Sequence, residues 1–117
     1  MAVNLVSPTT INRATLYRGQ PGTSSATAYT VPASTDVKIA AFVLCNTTAL
    51  AATVTVSVVA SGGSASTANQ VVSAVSVPAN TTVVVDSPIY MTTSDFIAAF
   101  QGTAAAITVF ISGETYA

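Results

Sequence analysis

The sequence predicts an all-β fold, an antiparallel β-sandwich of immunoglobulin-like or jelly-roll type with about seven to nine short strands. Three observations lead to it. Ala, Val, Thr and Ser supply most of the 117 residues, and the β-branched Val and Thr favour strands. From Arg13 onward apolar and polar residues alternate with a period of two, and no segment keeps the i, i+3, i+4 apolar stripe of a surface helix. Turn-forming residues recur about every 8–14 positions, the spacing of short strands joined by tight corners.

Residues 1–11 carry no strong pattern and contain Pro8, so they are expected to form either an extended N-terminal arm, pinned by Leu5 and Val6, or a frayed terminus. Residues 12–117 then make a single domain, long enough to bury a core without covalent staples. A first strand runs over Ala14–Arg18 and is closed by Gly19-Gln20-Pro21-Gly22. A second runs from Thr27 to Val31, and a long third from about Val37 to Asn46. Thr53–Val58 has the cleanest alternation: Val54, Val56 and Val58 share one face and Thr53, Thr55 and Ser57 the other. Ser61-Gly62-Gly63-Ser64-Ala65-Ser66-Thr67 reads as a flexible loop. Strands follow near 70–77, 82–86 and 95–101. Ser94 could cap a short helix over the last of these, but its neighbours favour a strand. The closing strand spans about Ile107–Gly113, with Ile107, Val109 and Ile111 opposed by Thr108, Phe110 and Ser112.

One motif occurs twice. Val31-Pro32-Ala33-Ser34-Thr35-Asp36-Val37 is echoed by Val77-Pro78-Ala79-Asn80-Thr81-Thr82-Val83. In each, a strand ends at Val, Pro sets φ at the turn entry, and Ser or Asn tolerates the corner before a Val-containing strand resumes. Two equivalent corners are expected.

Charge is the most unusual property. The chain has three basic and four acidic residues, a net charge of −1, and 50% hydrophobic content. Soluble domains draw about a quarter of their residues from the charged types, and near-zero net charge promotes association. The composition therefore points to a surface completed by neighbouring subunits. Three cations are too few for the phosphate contacts that drive nucleic-acid binding. No secretory leader is expected from Met1-Ala2-Val3-Asn4-Leu5, and Thr or Ser interrupts every apolar stretch well short of a membrane-spanning helix. A membrane β-barrel shares the alternating pattern but would need aromatic girdles.

Chemistry is poorly provided for, and no catalytic, cofactor or metal residues are assigned. Without histidine, Ser–His and Cys–His nucleophile systems are impossible. One cysteine and no histidine also remove structural zinc. Cys45 is expected to be a small buried hydrophobe. Asp36, Asp86 and Asp95 all fall near strand ends, where turn N–H groups are their expected partners in preference to a calcium ion. Asn46-Thr47-Thr48 and Asn80-Thr81-Thr82 fit the glycosylation acceptor pattern but read more simply as turns. Gly62-Gly63 lacks the Lys and helix start of a phosphate loop. Arg13 and Arg18 flank the first strand, either as solvated edge charges or as contacts to a partner's acidic patch. With Leu5 and Val6 they are the candidate partner contacts.

Several segments together resemble the small β-sandwich structural proteins of tailed-bacteriophage virions. They are Leu16-Tyr17-Arg18-Gly19, the Tyr29-Thr30-Val31-Pro32-Ala33 corner, and Val43-Leu44-Cys45-Asn46-Thr47-Thr48 leading into the Val/Thr strand. Val77-Pro78-Ala79-Asn80-Thr81-Thr82 and Ile107-Thr108-Val109-Phe110-Ile111-Ser112-Gly113-Glu114 complete the set. The likeness covers about 100 residues and is one of style, with no diagnostic signature and no functional residues to carry over. It implies a non-enzymatic virion protein made in the host bacterial cytoplasm, in first place a capsid decoration (cement) protein bound to the major capsid protein. A neck, tail, baseplate or fibre component comes second, and a glycan- or receptor-binding module third. A homo-oligomer, with a trimer favoured, fits such a role.

Overall fold

The strands pair as one long antiparallel hairpin rolled up on itself. In the computed structural model, which describes residues 10–86 and 88–117, nine strands follow in order. They are β1 (Ile11–Gly19), β2 (Ala26–Thr30), β3 (Asp36–Asn46), β4 (Ala52–Val59), β5 (Gln70–Val77), β6 (Thr82–Val85), β7 (Ile89–Met91), β8 (Phe96–Gln101) and β9 (Ile107–Tyr116). First pairs with last: β1 with β9, β2 with β8, β3 with both β6 and β7, and β4 with β5. Further pairing of β3 with β9 and of β4 with β8 closes two sheets, β1-β9-β3-β6/β7 and β2-β8-β4-β5.

This order is that of a jelly roll, whose two sheets divide the strands of the rolled-up hairpin between them. An immunoglobulin domain keeps its first two strands in one sheet, whereas β1 and β2 lie in different ones. The sequence left these two sandwiches open, and strand pairing decides between them. The expected strand at 95–101 is β8, and Ser94 precedes it at φ 71°, a left-handed conformation that starts no helix.

The core lies between the sheets. Ile39, Phe42 and Leu44 of β3 and Ile107, Val109 and Ile111 of β9 are fully buried against Val54, Val56, Val72 and Ile97 of the second sheet. The β9 alternation is as expected: Phe110 points away from the core at 39% exposure. On β4, Val54 and Val56 face inward as expected and Val58 packs against the core's margin. Thr55 and Ser57 of the opposite face are nonetheless buried, and Thr55 Oγ1 accepts the Ala74 N–H at 3.1 Å. Ala74 sits at φ 45° in the irregular stretch of β5, so the hydroxyl satisfies a donor that the sheet ladder leaves out.

The repeated motif builds two matching corners. Ser34 and Asn80 both adopt φ 53°. The next residue in each, Thr35 or Thr81, donates its hydroxyl to the carbonyl two residues back at 3.0 Å. The Val that opens each motif, Val31 or Val77, is buried.

Two bulges shape the first sheet, and they lie opposite adjacent steps of β9 that share Ser112. Register slips at Leu16 in β1, opposite Ile111-Ser112, and at Ala40 in β3, opposite Ser112-Gly113. Each adds one residue and reverses which parity of its strand faces the core. In β3, Val37 and Ile39 point inward before the slip, and Phe42 and Leu44 after it. Gly113 makes the β3 bulge possible: a methyl group there would overlap the Lys38 carbonyl oxygen and press on Ile39 Cα.

Two buried amides fasten the sheets at one end. Asn46, 1% exposed at the end of β3, donates to Leu50 O at 2.8 Å and to Val77 O of β5 at 2.9 Å. Its Oδ1 accepts the Thr48 N–H at 2.9 Å. Gln101 at the end of β8, also 1% exposed, accepts the Ile107 N–H at 2.7 Å and donates to Pro21 O. Each amide thus ties a strand of one sheet to a strand of the other. The turn role expected for Asn46 holds, and the link between sheets is added to it.

Two stability effects follow. Gly113→Ala should cost about 3 kcal/mol or more because a backbone oxygen blocks the new methyl, while Gly22→Ala, with open space around it, should stay within about 0.5 kcal/mol. Asn46→Ala should cost about 2 kcal/mol, since it takes the amide donor from the buried Val77 carbonyl and the acceptor from the Thr48 N–H. Urea denaturation of the purified variants reads both.

Candidate interaction face

The outer face of the first sheet collects every basic residue of the chain. Arg13 and Arg18 are five residues apart, a spacing that puts them on opposite faces of a regular strand. The bulge at Leu16 brings both to the outer face, where Arg13 lies opposite Glu114 and Arg18 opposite Phe110. Lys38 of β3 is the third cation, opposite Glu114 on its other side.

Pairing arranges these side chains in two rows across the sheet. One row reads Arg13, Glu114, Lys38, Tyr90 over β1, β9, β3 and β7. The other reads Arg18, Phe110, Val43, Val84 over β1, β9, β3 and β6. Along β9 they are four residues apart, about 13 Å. Tyr90 is 66% and Val84 59% exposed, so the face offers large apolar groups beside its charges. Between the rows, Arg13, Ala14, Thr15, Ala40, Ser112, Gly113 and Glu114 line a shallow open depression of about 570 Å³ at the two bulges. Its lining includes one carboxylate and two hydroxyls, and the chain has no histidine to act as a base.

Electrostatics ties the end of this face together. Tyr116 donates its hydroxyl to Glu114 Oε1 at 2.9 Å. That bond holds the phenol above its ordinary pKa, with partial desolvation and the charges of Glu114 and Tyr90 acting in the same direction. On β2, burial alone raises the pKa of Tyr29.

The second sheet is different in kind: no residue of β2, β4, β5 or β8 is charged. Threonine and serine at Thr27, Thr30, Thr53, Ser73 and Ser76 supply its exposed polar surface.

The remaining candidates separate clearly. Asp95 behaves as a turn residue, accepting the N–H groups of Thr92 at 2.9 Å and Ser61 at 3.0 Å. Asp36 is buried at the start of β3, and Asp86 is exposed after β6. Among the described residues no three His, Cys, Asp or Glu side chains gather as a metal site. Cys45 corrects its expectation: it is half-buried on the outer face, opposite Thr82 and Thr108, because the bulge at Ala40 turns Leu44 and Asn46 inward in its place. Leu5, Val6 and the rest of residues 1–9 lie outside the described residues. Thr10 exchanges two backbone hydrogen bonds with Ala117. Among the described residues no helix is long and apolar enough to cross a membrane.

No protein-family model and no curated protein sequence matches the chain. Among solved structures, it is similar to a chain from the disulfide-linked pili that Bacillus endospore appendages form. The TM-score is 0.54 at 19% identity, over 92% of this chain and 88% of that one. A weaker likeness is to a chain of infectious bursal disease virus, Gx strain, with a TM-score of 0.48 at 14% identity. It covers 92% of this chain and 32% of the viral one. At these identities the first likeness is one of fold.

Proposed function

We propose that the chain is a non-enzymatic structural subunit that works packed against other subunits. Within that class we assign it to the virion of a tailed bacteriophage as a capsid decoration protein, binding the major capsid protein and stabilising the assembled shell. The observation that carries this reading is the distribution of charge. A free domain keeps itself dispersed with charged faces; here one sheet has none and the other mixes a few charges with exposed Phe110, Val84 and Tyr90. Burying such surface at a subunit junction removes apolar area from water at small desolvation cost. A ligand that binds only the assembled shell stabilises that shell by mass action.

The site chemistry supports the non-enzymatic part of the reading. The depression at the bulges brings one carboxylate, Glu114, beside an arginine and two hydroxyls, with neither a histidine nor a second carboxylate to complete an acid–base pair. Arg13 and Arg18, now on one face, are proposed partner contacts, as are Leu5 and Val6 of the N-terminal segment. A homo-oligomer, trimeric at a local threefold, is the proposed arrangement. The second reading is a neck, tail, baseplate or fibre component, and the fold shared with a pilus-forming chain favours it.

Copy number discriminates. Quantitative mass spectrometry of particles that contain the chain should find it in numbers comparable to the major shell subunit. A handful of copies per particle would place it at the neck or tail. Recovery as a dispersed monomer at high concentration, with no particle carrying it, would overturn the structural reading. Phe110→Ala adds a second check: the free domain should lose no more than about 1 kcal/mol, since the ring is not core, while attachment to particles weakens.

A further inference from the structure

The two rows on the outer face of the first sheet are complementary to themselves. We propose that this face docks on the same face of a second copy, about a twofold axis that runs along the strands between β9 and β3. The inference rests on the reading of the chain as an assembling subunit and names one of its contacts.

The geometry follows from the row order. A twofold placed there lays β9 over β3 of the second copy and β1 over the strand position shared by β6 and β7. The charged row Arg13, Glu114, Lys38, Tyr90 then meets its own reverse. Glu114 faces Lys38 of the second copy, and Lys38 faces its Glu114. Arg13 faces Tyr90 of the second copy, whose exposed ring offers a face to the guanidinium. The apolar row behaves likewise. Phe110 meets Val43 of the second copy, and the aliphatic part of Arg18 covers its Val84. Every charge in the two rows except Arg18 meets an opposite charge or an aromatic ring, and each contact occurs twice, as an isologous interface requires. Two sheets packed face to face in this way keep their strands within about 30° of each other.

Self-docking is favoured over an acidic partner because the rows supply both members of each charge pair. Across the sheet the four strand positions span about 14 Å, and the rows stand about 13 Å apart. Such a patch covers a few hundred Å² per copy, against about 800 Å² per partner in a standard interface. The pair is therefore weak when alone and dissociates on dilution, which suits a contact repeated many times in an assembly.

Sedimentation equilibrium of the full chain, over about a hundred-fold range of concentration, tests the proposal. The wild type should pass from monomer to dimer as concentration rises. Lys38→Glu and Glu114→Lys, each placing like charges face to face, should each weaken association at least about tenfold. Mixing the two variants in equal amounts should restore it. In the mixed pair the introduced carboxylate of one variant faces the introduced ammonium of the other, and the unchanged Glu114 of the first faces the unchanged Lys38 of the second. Should Glu114→Lys fail to fold for want of its Tyr116 bond, Tyr90→Lys, a like-charge clash with Arg13 of the second copy, and Arg13→Glu form the replacement pair, whose mixture sets the introduced ammonium against the introduced carboxylate. A wild type that remains monomeric throughout, or a mixture that associates no better than its components, overturns the proposal. If either occurs while the chain still binds particles, the twofold contact fails and the structural role stands. A wild type found neither on particles nor self-associated sinks both.

Discussion

β9 runs through the middle of the first sheet, and its neighbours bend on either side of Ser112 while their ladders stay closed. Next to it, at Gly113, the Lys38 carbonyl of β3 comes so near that no side chain fits. Opposite Ile111-Ser112 in β1 and opposite Ser112-Gly113 in β3 each strand carries an extra residue, and each reverses which of its side chains face inward. Were either strand regular, half of it would turn its apolar residues to solvent, and the rows on the outer face would not exist. The missing Cβ thus permits the bulge that sets the inward face of β3, the β1 bulge pairs Arg18 with Phe110, and the two together frame the depression between the rows.

The sheets differ in what they ask of their surroundings. The first offers charge of both signs in a fixed order next to apolar groups. The second offers hydroxyls and small side chains with no charge at all. A subunit with one patterned face and one bland face can make a specific contact with the former. The latter can lie against partners without burying an unpaired charge.

Much of this was legible in the sequence. Alternation located every strand except β7, because each sheet has one face on the core and period two is the direct signature of that. Three residues, Ile89–Met91, are too few to show a period of their own. The doubled Val-Pro-Ala motif announced two equivalent corners, since its Pro and Ser or Asn restrict the backbone locally. Strand pairing was not legible: β1 pairs with β9 across almost the whole chain, and nothing local encodes that. The bulges were also hidden, for Leu16 and Ala40 resemble their neighbours, and the position of Cys45 was misread in consequence. Arg13 and Arg18 stood out by rarity alone. That they share a face with Lys38, Glu114 and Phe110 depends on a register that only the folded chain reveals. Gln101 likewise carries no local signal of its role, which depends on the Ile107 N–H and Pro21 carbonyl that the fold brings to it.

The rolled-hairpin pairing also has a bearing on how the molecule is made. β9 follows all other strands in the chain, yet it fills the slot between β1 and β3. While the polypeptide grows on the ribosome, those two strands each have an unsatisfied edge and no strand to join them. The first sheet therefore cannot close until synthesis has passed Tyr116, and the contacts that close it have the longest sequence separations, the kind that form slowly. The nascent chain spends its vulnerable period with backbone N–H and C=O groups unpaired along these edges, so a crowded pool of unfinished copies is where mispairing between molecules is most to be expected.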